Sequence, residues 1–293
     1  MIYDNPDNWF LGTPKKTKKS KGAGGGGTPT KNRISQNSTQ KLSNSIKATN
    51  KKVPQAMVKI SGSSNGTNKA QAHANYIGRK GSIEIENQDG NKFIGEEQKQ
   101  LLKSWEAMGM HKEHDTGTRK EAFHFVFSMP KGTDPEGLKN AVRNLINEEF
   151  EGHKYFMAQH LDTDSPHVHV LLSATDDRGA RLNPRKADLH NYRVQFASKL
   201  VEQGIEATAS RRIHRFKYKD NSTQKEIHKA KKEGKEIIKS SPTFNEMQKI
   251  KKTHKEIETI YKAYSEKLPQ DAGELKKDIK QLLKEVDKDK GRG

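Results

Sequence analysis

Three histidines stand close together between residues 160 and 169, in the order His160, His167 and His169, with Asp162 between the first two. Side chains alternate along a β-strand, so His167 and His169 project from the same face. If a hairpin places Asp162 opposite His167, then His160 lies opposite His169, and three imidazoles and one carboxylate converge on one face. Imidazole nitrogens need partners in a protein core, whereas this set suits a divalent ion with open coordination positions. The spacing therefore predicts a metal site.

A metal site that cleaves or transfers an ester also needs an attacking group. The chain has no cysteine and no serine in a nucleophile elbow. Tyr76 is the candidate, because it ends a predicted helix from about Asn68 and is followed by the cations Arg79 and Lys80. Attack of its phenolate on phosphorus would conserve the bond energy in a phosphotyrosine ester. Spacing alone does not bring Tyr76 to the histidines, and a packing tyrosine is the alternative.

The segments around these residues predict an α/β fold, an antiparallel-sheet sandwich with helices on its faces. Alternation is clearest from Ala122 to Met129, where three phenylalanines share one face. Asp134 and Pro135 cap and open an amphipathic helix. Further predicted strands span 56–60, 82–86, 93–94, 154–162 and 166–174, and a further helix spans about 188–203. The strand over 56–60 is expected to end at the run from Gly62 to Gly66. The strands over 154–162 and 166–174 are expected to join through residues 163–165.

Charge divides the chain of 293 residues into three parts. Residues 1–52 carry 11 Lys and Arg against 2 Asp and Glu, and residues 210–293 carry 24 against 14, within a net charge of +18. Residues 1–52 lack apolar periodicity and are predicted to be a disordered basic arm. Residues 53–219 are predicted to form the catalytic domain. Such basic arms favour a polyanionic partner, above all nucleic acid.

Residues 220–293 are predicted to be a charged helical extension, with helices over 223–240, 243–267 and 273–288. Their apolar stripes are thin, which is typical of helices that pack on a partner or on each other. The absence of cysteine excludes thiolate zinc sites and disulfides. The sequence contains no apolar run long enough to span a bilayer and no P-loop motif, so we expect a soluble protein without membrane insertion and without its own ATP-driven unwinding.

The stretch from Ala56 to Phe216 resembles the relaxases of plasmid conjugation and mobilisation, in particular the P-class group that includes the endonuclease that cuts T-DNA borders. The resemblance rests on Asn75–Gly81 as the tyrosine motif, on His124–Pro130 with Ser128 as the second motif, and on His160, Asp162, Pro166, His167 and His169 as the His-hydrophobe-His motif. Residues 185–196 and the pair Arg211-Arg212 are similar to the downstream basic helix and the end of the domain.

The resemblance implies a role for each of these positions. Tyr76 would be the nucleophile, and the three histidines would bind Mg²⁺ or Mn²⁺. Asp162 would orient a histidine or assist deprotonation of Tyr76. Contacts to single-stranded DNA at a transfer origin would come from basic and hydroxyl side chains, namely Arg79, Lys80, Ser128, Arg185, Lys186, Arg193, Arg211 and Arg212. Accessory DNA-binding proteins of a relaxosome and the coupling protein of a type IV secretion system would be its partners. The protein would act in the bacterial cytoplasm and pass to a recipient cell.

Two other functions stay open at this point. A rolling-circle replication initiator or transposase uses a similar histidine pair, but its tyrosine follows the histidines, and Tyr261 and Tyr264 are the downstream candidates. A non-enzymatic DNA-binding protein with a structural metal would usually close its site with a fourth protein ligand, which the sequence does not identify.

Overall fold

The computed structural model describes residues 43, 45–107, 119–217, 229–230, 232–235, 242–268 and 272–290. The chain divides into two compact units, one of residues 53–209 and one that combines residues 1–52 with 210–293. The first unit contains Tyr76, Asp162 and the three histidines, and the second contains the C-terminal helices together with Arg211 and Arg212.

The first unit is built on a six-stranded antiparallel sheet in the order β1-β4-β6-β5-β2-β3. Its strands and helices are interleaved along the chain, and β2–β3 and β5–β6 follow each other without a helix between them. The strands are β1 (Met57–Ser64), β2 (Ile85–Asn87), β3 (Lys92–Phe93), β4 (Ala122–Ser128), β5 (His153–His160) and β6 (His167–Asp176), and the helices are α1 (Thr67–Ile77), α2 (Glu96–Ala107), α3 (Pro135–Glu149) and α4 (Lys186–Glu202). The predicted α/β class with an antiparallel sheet is confirmed.

Helices α3 and α4 cover one face of the sheet. Phe125 and Phe127 of β4 pack there against the apolar stripes of both helices, and all the phenylalanines of this strand are buried. Helix α3 begins where predicted, since the Asp134 carboxylate accepts a hydrogen bond from the backbone N–H of Gly137 at 2.8 Å. This face is the main hydrophobic core of the unit.

A buried carboxylate ties β2 to α3. Glu86 is 1% exposed, and Arg143 donates to both of its oxygens while the ammonium of Lys139 lies 3.1 Å from it. Burial raises the pKa of Glu86, but the hydrogen bonds and positive charges of Arg143 and Lys139 outweigh it and hold the pKa below its ordinary value of 4.5. Glu86 is therefore ionised and paired inside the domain.

Helix α1 lies on the opposite face. Its small residues Ala70 and Ala74 and its last residue Ile77 are fully buried against Ala158 of β5 and Leu171 of β6. Because these alanines are small, the helix approaches the sheet closely. Alternation along β5 and β6 places the three histidines on this same face, so α1 delivers its C-terminal end to them.

One predicted strand length and one predicted register differ from the structure. Strand β1 extends beyond the predicted range of 56–60 and ends at Ser64, inside the run from Gly62 to Gly66, because an irregularity between Ile60 and Gly62 lets it stay paired with β4 as far as Ala122. The β5–β6 register places His160 opposite His167, not opposite His169. The connection is consequently longer than predicted, and it contains Asp162.

The second unit contains α5 (Phe244–Lys267) and α6 (Gly273–Lys290). Their bounds agree closely with the predicted helices over 243–267 and 273–288. Residues 45–50 are helical, and Ile46 is buried in one apolar cluster with Ile279 of α6. The predicted disorder of the basic arm therefore does not extend over residues 45–50, because Ile46 fills the thin apolar stripe of the helices. Residues 1–42 and the predicted helix over 223–240 lie wholly or largely outside the described residues.

The predicted boundary after residue 219 also differs from the structure, in which the first unit ends at Ala209. Phe216 packs with the C-terminal helices, where it contacts the ring of Tyr261 at 6.1 Å between centroids. Phe216 thus belongs to the apolar cluster of the second unit, an assignment that sequence periodicity did not reveal.

Candidate metal and nucleophile site

The three predicted histidines lie together on the α1 face of the sheet. Their ring centroids are 4.5 to 5.3 Å apart, and one nitrogen from each ring lies within 4.8 Å of the others. The observed β5–β6 register differs from the predicted one by two residues. A shift of two keeps each side chain on its face, so His160 still meets His167 and His169.

Hydrogen bonds to backbone carbonyls determine which nitrogen two of these rings offer. His160 is 1% exposed, and its Nε2 donates to the carbonyl oxygen of Ile77 at 2.6 Å, which leaves the Nδ1 lone pair free. The Nδ1 of His167 donates to the carbonyl of Ser165 at 3.0 Å, which leaves its Nε2 free. Such carbonyl bonds orient metal-binding histidines and raise the basicity of the other nitrogen.

His169 completes the set. Its Nδ1 is buried and has no hydrogen-bond partner among the described residues. Burial lowers the pKa of His169 to about 3, and burial also lowers the pKa of His160. Both rings are therefore neutral at physiological pH, which is the form that binds a metal. The donor set, three imidazoles with an unsatisfied buried nitrogen, fits a divalent transition ion such as Mn²⁺ and leaves room for oxygen ligands.

Tyr76 stands directly beside this cluster. It precedes Ile77, whose carbonyl accepts a hydrogen bond from His160, so the last turn of α1 is tied to the three-histidine cluster through the backbone. The edge of its ring meets His169 at 6.3 Å between centroids, and the guanidinium carbon of Arg79 lies 5.6 Å from its centroid. The side chain is nevertheless 55% exposed, so its hydroxyl is open to a large substrate.

The chain turns sharply after α1. Arg79 and Lys80 have positive φ values of 49° and 58°, followed by Gly81 at 97°. Gly78 lies against the fully buried Gln98 of α2, and a Cβ at Gly78 would approach the Gln98 amide nitrogen to 2.0 Å. Two non-glycine residues in the left-handed region indicate a turn that is held in place by the packing around it.

Asp162 does not lie opposite His167, as the predicted hairpin required. It stands in the β5–β6 connection, and its carboxylate pairs with the guanidinium of Arg79 at 2.6 Å. Partial desolvation raises the pKa of Asp162, but the charges of Arg79 and His160 outweigh it and hold the pKa below its ordinary range. Arg79 thus bridges the ring of Tyr76 and the connection between the two histidine strands.

The predicted DNA-contacting residues fall into separate places. Ser128 pairs with His167 across β4 and β6 and is half-buried beside the site, and Lys80 is exposed in the turn after Tyr76. Arg193 donates to the carbonyl of Val58 at 2.9 Å from helix α4, on the opposite face of the sheet. Its guanidinium is therefore engaged in holding β1.

The other predicted contacts are not brought to the histidines by the described structure. Arg185 is exposed at the start of α4, and the side chain of Lys186 lies outside what the structure describes. Arg211 and Arg212 belong to the second unit. A role in DNA binding stays a prediction for each of them.

Two further histidines beside the site were not predicted to act there. His73, one turn before Tyr76 in α1, stacks on His124 of β4 with 3.5 Å between centroids and 6° between planes. The Nε2 of His124 lies 2.7 Å from the hydroxyl of Ser64. Alternation along β4 puts His124 on the face opposite the buried phenylalanines, but only the packing of α1 brings His73 to it.

The antiparallel sheet thus carries the three-histidine cluster on β5 and β6, with the ring of Tyr76 at the edge of that cluster. Residues 76–205 match the family model described as "Relaxase: MobA/VirD2-like, nuclease domain". The resemblance to relaxases predicted from the sequence is confirmed by this match.

Similar curated proteins include the T-DNA border endonuclease VirD2 of Rhizobium rhizogenes, 25% identical over 181 residues, which are 55% of this chain and 41% of that protein. The T-DNA border endonuclease VirD2 of Agrobacterium fabrum is 27% identical over 159 residues, which are 48% of this chain and 35% of that protein. The chain thus spans about two fifths of the length of these relatives. Among the described helices, none is both long and apolar enough to cross a bilayer.

Proposed function

We propose that this protein is a relaxase that nicks one DNA strand at the transfer origin of a mobile plasmid and stays linked to the new 5′ end through Tyr76. The observation that carries the proposal is the placement of an exposed tyrosine at the edge of a three-histidine cluster, with its ring 6.3 Å from His169. The match to a relaxase nuclease domain over residues 76–205 supports it.

The proposed reaction is a transesterification. The phenolic oxygen of Tyr76 attacks the scissile phosphorus, the bond from phosphorus to the 3′ oxygen breaks, and the proton lost by the phenol is balanced by the proton gained by the 3′ hydroxyl. His160, His167 and His169 would hold Mg²⁺ or Mn²⁺, which supplies charge stabilisation at the phosphate when bound. The carbonyls of Ile77 and Ser165 would keep two of these rings in the binding tautomer.

The ion pair with Arg79 suggests that Asp162 acts by holding that guanidinium in place. A carboxylate with its pKa below the ordinary range and a cation at 2.6 Å is a weak proton acceptor. We therefore infer that Asp162 holds Arg79 over the ring of Tyr76, where the guanidinium favours the phenolate form and lies beside the position of an incoming phosphate. Ser128 and Lys80 would add contacts to the strand near the nick.

The partners follow from the same proposal. Single-stranded DNA at the transfer origin would be the substrate, and the basic segment 1–52 would add affinity independent of sequence through phosphate neutralisation. Relaxosome accessory proteins and the coupling protein of a type IV secretion system would take the strand–protein adduct from the bacterial cytoplasm to the recipient. The second unit is the candidate for these protein contacts.

The described residues support neither a replication initiator or transposase nor a non-enzymatic DNA-binding protein. Tyr261 and Tyr264, the downstream nucleophiles of a replication initiator, are 2% and 9% exposed in the apolar cluster of the second unit. Burial raises the pKa of Tyr261, which opposes phenolate formation. No Asp, Glu or further His among the described residues joins the three-histidine group as a closing ligand, as a purely structural metal site would have.

The test is cleavage of labelled single-stranded oligonucleotides from the plasmid that carries the gene, with and without Mn²⁺. We expect a covalent protein–DNA adduct that maps to Tyr76, is lost in Tyr76→Phe and requires the metal, while DNA binding changes little. Tyr261→Phe is the matched control and should form the adduct normally. An adduct on Tyr261 or Tyr264 would support the initiator, and binding without cleavage would support the non-enzymatic protein.

A further inference from the structure

Outside the three-histidine cluster, the described residues of the first unit include a pair of stacked imidazoles, those of His73 and His124. They lie nearly parallel at 3.5 Å between centroids, and burial lowers the pKa of each to about 4. Both rings are thus neutral, and they stack without charge repulsion. Neither residue belongs to the group that could hold the metal.

The stack is anchored on one side only. The Nε2 of His124 lies 2.7 Å from the Ser64 hydroxyl, and Ser64 is 1% exposed at the end of β1. The Nδ1 of His124 faces Gly62, where a Cβ would approach it to 3.1 Å, so the glycine leaves room for the ring. The Nε2 of His73, in contrast, is buried and has no hydrogen-bond partner among the described residues. His73 is therefore held by its ring face.

On its other side His73 touches the nucleophile. Its ring lies 5.9 Å from that of Tyr76 at 28° between planes, as expected for neighbours three residues apart on a helix. Tyr76 is otherwise more than half exposed, with His169 at its edge and Arg79 near its face. An exposed tyrosine ring with few contacts would sample several rotamers, and each wrong rotamer moves its hydroxyl by several ångströms.

We propose that Ser64, His124 and His73 form a positioning relay that holds the ring of Tyr76 in the orientation for attack. The relay runs from the hydroxyl on β1 through the two stacked rings to the nucleophile, and it acts by packing. It contributes no proton and no metal ligand. This inference rests on the proposed function, because it assigns a role to residues that touch the proposed nucleophile.

The experiment uses the full-length protein in single-turnover cleavage of the specific oligonucleotide at saturating Mn²⁺. It measures the rate constant at saturating DNA, the DNA concentration at half-saturation and, separately, the Mn²⁺ affinity by calorimetry. His73→Ala removes the ring, His73→Phe restores a flat ring without nitrogens, and Asn68→Ala, exposed in the first turn of the same helix, is the control.

We expect His73→Ala to lower the rate constant by about 10- to 100-fold, the loss that misplacement of a reacting group by about an ångström produces. Half-saturation and Mn²⁺ affinity should change by less than about twofold, and His73→Phe and Asn68→Ala should cleave at nearly the wild-type rate. His124→Ala should resemble His73→Ala, and the double variant should be no slower than the slower single variant, because both changes break the same relay.

Wild-type rates in His73→Ala, a His73→Phe variant as slow as the alanine variant, or multiplicative losses in the double variant would each overturn the relay. If the histidine variants fail to fold, Ser64→Ala removes only the hydroxyl that holds His124, and a loss of about three- to tenfold is expected, as for one lost hydrogen bond. An unchanged Ser64→Ala rate would then refute the relay. Absence of any Tyr76 adduct in the wild-type protein would instead refute the proposed function itself.

Discussion

Two ligands of the proposed metal site should respond differently to truncation, because they are held differently. His160 is 1% exposed and donates to the Ile77 carbonyl at 2.6 Å, whereas His167 is half-buried and its Ser165 partner lies in the exposed connection. His160→Ala leaves a buried carbonyl without a donor and a cavity beneath α1. His167→Ala leaves a carbonyl that water can reach.

The magnitudes follow from this difference. An orphaned buried acceptor costs about 1–3 kcal/mol, and the cavity adds to it, so His160→Ala should cost about 2–4 kcal/mol in the metal-free protein. For a unit of this size that corresponds to a Tm lower by roughly 4–16 °C. His167→Ala should stay within about 1 kcal/mol of the wild type. Both variants should lose Mn²⁺ binding, since each removes one of three ligands.

The assay is thermal unfolding in EDTA together with Mn²⁺ titration by calorimetry. A Tm for His160→Ala within 2 °C of that for His167→Ala would show that the bond to Ile77 does not hold α1. Wild-type Mn²⁺ affinity in either variant would refute the ligand assignment.

Three further outcomes are expected. Gly78→Ala should destabilise the protein by about 1–3 kcal/mol through overpacking against Gln98, and Gln98→Ala in the same chain should recover most of the loss. Glu86→Gln should cost roughly 2–3 kcal/mol at pH 7; because the pKa of Glu86 is lowered on folding, this contribution is present above pH 4.5 and is lost as the pH falls through the folded-state pKa. Deleting residues 1–52 should weaken DNA binding and also destabilise the C-terminal helices, since it removes Ile46.

Each of these outcomes has a control. Chemical denaturation measures the Gly78 pair, and equal losses in the single and double variants would refute the close contact with Gln98. The difference in free energy of unfolding between the wild type and Glu86→Gln should be smaller at pH 3 than at pH 7. An equal difference at both pH values would contradict the buried ion pair. A deletion of residues 1–42, which keeps Ile46, should weaken DNA binding alone; equal thermal losses from both deletions would refute the packing of Ile46.

Much of the site could be predicted from the sequence because it depends on local geometry. Alternation along a strand places His167 and His169 on one face whatever the partner strand is. The same rule placed the phenylalanines of β4 in the core and His124 on the site face. Even the wrong hairpin register preserved the cluster, since a shift of two residues returns every side chain to the same face.

The tertiary structure decided what joins these local pieces. Three contacts join residues from different elements. They are the pairing of His160 with His167, the hydrogen bond from His160 to Ile77 and the ion pair between Asp162 and Arg79. The distances from α1 to the strands depend on where the helix packs on the sheet. Small buried residues such as Ala74 allow a close approach but do not fix the position of the helix. The chain alone determined which side chains share a face. Long-range packing determined that a tyrosine, a stacked imidazole pair and the three-histidine cluster meet there, because no local rule relates the end of a helix to strands more than 80 residues away.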